Sequence, residues 1–240
     1  MKAMVPTVIT GATAGYARMT ANAYRHFLRF GIMLRVYCLD EGAYSALQEL
    51  GVPAVLLCHA AAAPEQLVYG TPEFKEASMR KLAAMADALR TNAVVVWVDG
   101  DVVPLRDPCS ALTQIAERMR ADNVDLAMQC DEPARAGCSG PGRCWMCSGI
   151  MVLRRTPNVV TMVSEPPPVS SFPPTWDSDQ DYINWFAALS EMRVTVLPRP
   201  LFPNGVFLDD VPPEAVLLHY KYIKGADKER RMREAGHWVV

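Results

Sequence analysis

The residues whose types and spacing best suit chemistry are Asp99-Gly100-Asp101, at the end of Val94-Val-Val-Trp97-Val98. Along an extended backbone, residues i and i+2 face the same way, so the two carboxylates stand roughly 6–7 Å apart at ordinary strand rise. Acids that close repel each other unless something positive lies between them. A hard divalent cation meets that need, taking one or two carboxylates and filling its other positions with diphosphate oxygens. Gly100, lacking a side chain, leaves room for a ligand to approach the backbone. The same letters also carry a plainer meaning, because Asp-Gly between apolar runs is a hairpin signal. Here the second run is only Val102-Val103 before Pro104, too short to pair well with five residues. The cation reading is preferred on that ground.

Such acids need an element to hold them. Five consecutive apolar residues without alternation describe a strand covered on both faces, as inside a parallel sheet. Upstream, Val5–Thr10 reads as a first strand that ends in a loop with Gly11 and Gly15, able to face a nucleotide though lacking the dinucleotide fingerprint. Ala17–Phe30 reads as a helix closed by Gly31, and Ile32–Leu39 as a second strand ending at Asp40. Asp40 can meet a ribose or cap the helix that follows, Ala43–Leu50. Pro53–Leu57 reads as a short third strand, and a long helix starts at Thr71-Pro72 and runs to about Arg90. Further on come a helix over Pro108–Arg120 and a strand over Asp125–Met128. This alternation predicts an α/β fold, an open, mostly parallel sheet with helices on both faces. Ligands of such sheets sit beyond the carboxyl ends of the strands, where Thr10, Asp40 and Asp99 all fall.

Past residue 130 the pattern loosens. Residues 131–143 read as a Gly-, Pro- and Cys-rich loop near the site, and Cys147–Arg154 as a strand. The Pro-rich segment 165–174 can be neither helix nor central strand and reads as an extended flap, shaping an acceptor pocket with the 131–143 loop. Asp177–Leu189 reads as a helix with Trp185, Phe186 and Leu189 inward. Val194–Leu197 and Val216–His219 read as strands, the latter followed by a basic helix. The expected organisation is one domain over 1–240, with 1–128 as a nucleotide-binding half and 129–240 as an acceptor-side half.

Composition excludes several classes. A net charge of −2 over 240 residues marks neither a nucleic-acid nor a membrane-surface binder. No apolar run approaches the roughly 20 residues that span a bilayer, and Met1-Lys-Ala-Met-Val-Pro does not resemble a signal peptide. The expectation is a soluble, cytoplasmic chain. Of seven cysteines, Cys130, Cys138, Cys144 and Cys147 cluster. Free thiols are the preferred state for them, with a disulfide or a zinc half-site as alternatives.

With its flanks included, Asp99-Gly-Asp101 resembles the motif of nucleotide-diphospho-sugar transferases, glycosyltransferases of the GT-A fold that use Asp-x-Asp. The likeness runs through Thr71-Pro-Glu-Phe-Lys, Arg80-Lys81-Leu and Val96-Trp-Val-Asp99-Gly-Asp101-Val-Val-Pro-Leu-Arg-Asp-Pro108. Cys147-Ser148-Gly149 resembles the family's Asn-x-Gly strand without its asparagine, which puts one polar contact in doubt. Asp179-Gln180-Asp181 is similar to its Asp-Gln helix start. His219…Gly225…Lys228…Trp238 is similar to its closing motif.

The resemblance implies that Asp99, Asp101 and a neutral His219 hold one metal, usually Mn2+ in this family, with Mg2+ the alternative. It implies that Lys81, Ser78, Thr10, Gly11, Asp40, Gly100, Ser148 and Gly149 contact the donor, and that Gly225 and Lys228 cradle its phosphates. Asp179 and Gln180 would then lie near the sugar and acceptor, with Asp131 on the acceptor side. Plainer roles stay open: Lys81 as a solvated helix lysine, His219 as a core histidine, Asp179 as a helix cap. The implied reaction moves a sugar from a nucleotide donor, expected to be a UDP-sugar, to a carbohydrate or glycoconjugate hydroxyl with retention at the anomeric carbon. A nucleotidyl- or phosphotransferase, and a binding module without catalysis, are the competing classes.

Overall fold

The computed structural model describes residues 6–60, 67–132 and 145–240. Seven strands form one sheet in the order β3-β2-β1-β4-β7-β6-β8. They are β1 (Thr7–Ala12), β2 (Arg35–Cys38), β3 (Ala54–Leu56), β4 (Val94–Val98), β6 (Leu126–Cys130), β7 (Met146–Arg154) and β8 (Val194–Val196). β3, β2, β1 and β4 are mutually parallel; β7 runs antiparallel to both β4 and β6, and β8 is parallel to β6. The sheet is therefore mostly parallel, with one reversal beside the strand that carries the acids.

β4 shows why the strands read as unbroken apolar runs. Val94, Val96 and Val98 enter one core with α1 (Ala17–Leu28), α2 (Glu41–Glu49) and α4 (Cys109–Ala121). Val95 and Trp97 enter the other with α3 (Pro72–Thr91), α5 (Pro157–Ser164) and α6 (Asp179–Leu189). Each such side chain contributes about 1.5–3 kcal/mol on full burial, enough to hold a strand whose end collects like charges. Asp99 shares the parity of Trp97, and the Trp97 indole N–H donates to Asp99 Oδ1 at 2.8 Å.

The pair Val102-Val103, too short to pair with β4, does form a strand. β5 (Val102–Pro104) pairs antiparallel with β9 (Leu217–His219), which sets Val102 opposite His219. That pairing spans more than a hundred residues and leaves no trace in local pattern. The last helix, α7 (Gly225–Glu234), follows β9.

Several local expectations shift. α6 buries Tyr182, Ile183 and Ala187, and Phe186 packs against that core as expected, while Trp185 and Leu189 are exposed instead of inward. The Pro-rich segment is not a free flap: it makes a 3-10 turn at Val169–Ser171, and Phe172 packs edge-on against Trp176 at 5.0 Å. α5, which lies beyond the sequence reading, starts at a proline, a favourable first-turn residue. Cys147 is a free, buried thiol in β7, whereas Cys130 is disulfide-bonded, contrary to the free state preferred for it. Cys138, Cys144 and most of the 131–143 loop lie outside the described residues. No helix among the described residues is long and apolar enough to cross a membrane.

Candidate functional site

Asp99, Asp101 and His219 converge, each offering a ligand atom, with all three atoms within 4.8 Å of one another. The backbone fixes them from two sides. The Asp99 N–H donates to Gly149 O at 2.8 Å, and the Val102 N–H closes the turn on Asp99 O at 3.0 Å. The Tyr220 N–H donates to Asp101 O at 3.1 Å, locking β9 beside the second acid. His219 Nε2 lies 3.3 Å from Asp101 Oδ1, and its Nδ1 lies 2.7 Å from Gln129 Oε1. Gln129 can accept only from a protonated Nδ1, so it leaves Nε2 facing the acids. A Cβ on Gly149 would overlap the imidazole ring, so only glycine lets β7 pass beneath it.

Cations ring these acids. Lys228, from α7, pairs with Asp101 and lies 3.3 Å from the Tyr16 hydroxyl. Lys81, from α3, is 6% exposed and no solvated lysine. It lies 2.6 Å from Asp179 and 3.7 Å from Asp99, and donates to Ser148 Oγ at 2.9 Å. Asp179 is free to face it because Ser178 and Asp181 form the capping box of α6 instead.

Burial acts on all these charges, and neighbours decide the outcome. Burial alone would lower the His219 pKa, but the Asp101 and Cys147 side chains outweigh it and hold the ring protonated, raised to about 10. Burial would raise Asp101, yet Lys228 and His219 keep it well below the usual carboxylate range. At Lys81, Asp179 and Asp99 together overcome burial and keep the ammonium charged. Asp179 has one cation and a nearby carboxylate, so burial wins and its carboxyl is raised.

The donor set of two carboxylates and an oriented imidazole fits a divalent cation. An ion held there would need Nε2 without its proton.

The other expected residues take the following places. Asp40 is fully buried, with its carboxylate accepting from the Ala43 N–H at 2.7 Å and the Ala14 N–H at 3.2 Å, tying α2 to the loop after β1. Thr10 is fully buried, and its hydroxyl has no hydrogen-bond partner among the described residues. The space beside Gly100 is filled by Thr20 of α1, and that beside Gly11 by Trp97 and Leu39, rather than standing open. Ser78 Oγ accepts from the Asp179 N–H at 3.1 Å, joining α3 to α6. Gly225 opens α7, ahead of Lys228. Gln180 donates to Asp131 Oδ2 at 2.7 Å and accepts from the Ser148 N–H at 3.3 Å.

Sequence reasoning missed Tyr16, Gln129, Lys221 and Tyr222. Of these only Gln129 carried a signal, a lone amide in the otherwise apolar strand β6.

Solved structures sharing this arrangement of elements include a glycosyltransferase involved in glycosylation of the major capsid of PBCV-1 (TM-score 0.59, 12% identity, covering 96% of this chain and 99% of that one). The galactosyltransferase LgtC, solved with donor and acceptor sugar analogues, matches at TM-score 0.58 and 12% identity over 97% and 96% of the two chains. An active-site glutamine-to-glutamate mutant of LgtC matches at TM-score 0.55. Mouse xyloside xylosyltransferase 1 matches at TM-score 0.51 and 10% identity over 90% and 98%. At such identities they speak for the fold, which is GT-A. No curated protein sequence matches the chain. Residues 33–232, which include every acid and cation of the site, match the nucleotide-diphospho-sugar transferase family, and this chain belongs to it.

Proposed function

We propose that this glycosyltransferase moves a sugar from a UDP-sugar donor to a hydroxyl of a carbohydrate or glycoconjugate, with a divalent cation and with retention at the anomeric carbon. The convergence of Asp99, Asp101 and His219 carries this reading. Those three residues would hold Mn2+, or Mg2+ less favourably, and a bound cation supplies positive charge for the diphosphate as the sugar bond breaks. Lys228 adds a cation for phosphate oxygens beside Gly225 at the start of α7. The nucleoside is assigned to the 1–128 half at the carboxyl ends of β1 and β2, where Thr10 and Asp40 are buried and Trp97 and Leu39 fill the space beside Gly11. The 129–240 half takes the acceptor, with Asp179, Gln180 and Asp131 on its side.

Lys81 keeps Asp179 and Ser148 in place through its buried contacts. Retention is what the resemblance of the Asp179-Gln180 block and the closing His219 implies.

Thermal stability measured with UDP, with and without MnCl2, tests the reading. A ligand at 100 times its Kd stabilises by about 2.7 kcal/mol, and the shift should require Mn2+ and vanish in Asp101→Asn. Hydrolysis of a panel of UDP-sugars, with the anomer of the released sugar assigned by NMR, then identifies donor and stereochemistry. Release of pyrophosphate would instead indicate a nucleotidyltransferase, and UDP binding without any turnover a binding module.

A further inference from the structure

The segment after β9 closes a ring of contacts that the transferase reading alone does not use. Lys221 Nζ pairs with Asp131 Oδ1 and donates to Gln180 Oε1 at 3.4 Å. Gln180 Nε2 returns to Asp131 Oδ2 at 2.7 Å. The Tyr222 hydroxyl adds contacts to Asp131 O at 2.6 Å and Oδ1 at 3.0 Å. A carboxamide has one accepting and one donating end, and a half-turn exchanges them. Here the oxygen end faces the Lys221 ammonium and the Ser148 N–H, while the NH2 end faces a carboxylate. A flipped amide would set NH2 against two donors and oxygen against an anion. One orientation is therefore selected.

The backbone of this segment is itself over-determined. Tyr222 adopts φ 72°, the left-handed region that a residue with a Cβ enters at a cost. A Cβ on Gly205 would run into the Lys221 carbonyl, so glycine there lets the segment lie flat. Among the described residues, Asp131 Oδ1 accepts from Lys221 and Tyr222, and Oδ2 accepts from Gln180.

We infer that Lys221 is a positioning residue which, through Asp131, fixes the Gln180 carboxamide with its oxygen toward Ser148 and so toward the donor sugar. A sugar that loses its diphosphate builds positive charge at the anomeric carbon. An amide oxygen lowers the energy of that charge, and an NH2 group raises it. Lys221 thus governs turnover rather than donor affinity.

This inference rests on the transferase reading above. The test uses the full-length protein and whichever UDP-sugar it hydrolyses fastest. Lys221→Met is expected to lower kcat about 10–100-fold, the range for partners that orient an active group, with KM and Mn2+-dependent UDP binding within about twofold of wild type. Tyr222→Phe, which removes only the hydroxyl contacts, should show the same split at about a few-fold. An unchanged kcat in both variants overturns the inference. So does loss of kcat in step with UDP binding and thermal stability, the mark of a merely structural role. Wild-type protein that turns over no donor overturns both this inference and the transferase reading. Wild-type turnover with Lys221→Met undiminished overturns this one alone.

Discussion

Two buried lysines meet two buried aspartates here, and the pairs differ in what surrounds them. Lys228 and Asp101 sit beside a second carboxylate and an imidazole whose Nε2 faces Asp101 at 3.3 Å. Lys81 and Asp179 share that carboxylate at its edge, with Asp99 3.7 Å from the ammonium, but otherwise sit beside a serine hydroxyl and a backbone carbonyl. The first setting offers three ligand atoms within 4.8 Å of one another. The second has its partners already in place, in hydrogen bonds that need no ion. On the proposed reading, similar charge pairs serve as a binding centre in one place and as a brace in the other.

The contrast can be broken most sharply at Asp101. Asp101→Asn should cut turnover by at least about 100-fold, as for removing a group aimed at developing charge, and should erase the Mn2+-dependent response to UDP. Equal loss with and without metal would contradict the distinction. At the brace, Lys81→Met strands Asp179 and should cost about 3–5 kcal/mol, read as a fall in Tm of about 2–4 °C per kcal/mol. The double variant Lys81→Met with Asp179→Leu should recover much of that, since neither charge is then stranded; no recovery would mean the pair is more than a brace. Gly149→Ala, which pushes the His219 ring aside, should weaken Mn2+ about 10–100-fold in calorimetric titration while leaving the Lys81 pair intact.

The smallest effect is in pH. Without metal, His219 titrates at about 10 when folded, above its ordinary 6.5. A raised value means the folded state holds the proton more tightly, so this contribution is complete below about pH 6.5 and fades as pH rises toward 10. Denaturant unfolding in EDTA should show stability declining over that window, and His219→Asn should flatten it. Mn2+ affinity should rise across the same window, because the ion displaces the proton.

Much of this was readable from the chain alone. The strand–helix alternation, the two-sided burial of β4 and the spacing of Asp99 and Asp101 are local properties, and local pattern reports them. What escaped depends on contacts distant in sequence. β5 looked too short to pair because its partner lies at 217–219. Asp40 admitted two roles, and its neighbours show both carboxylate oxygens engaged by backbone N–H groups. Asp179 resembled a cap until Ser178 took that place one residue earlier. Lys221 and Tyr222 lie within the closing motif, yet they gain meaning only where they land, on Asp131.

The β5–β9 ladder bears on how the molecule assembles. During synthesis the early strands can stack into their sheet well before residue 219 leaves the ribosome, since emerging segments begin to organise first. A nascent protein halted short of that histidine would own a nearly finished scaffold and two acids, yet no complete grip on a cation.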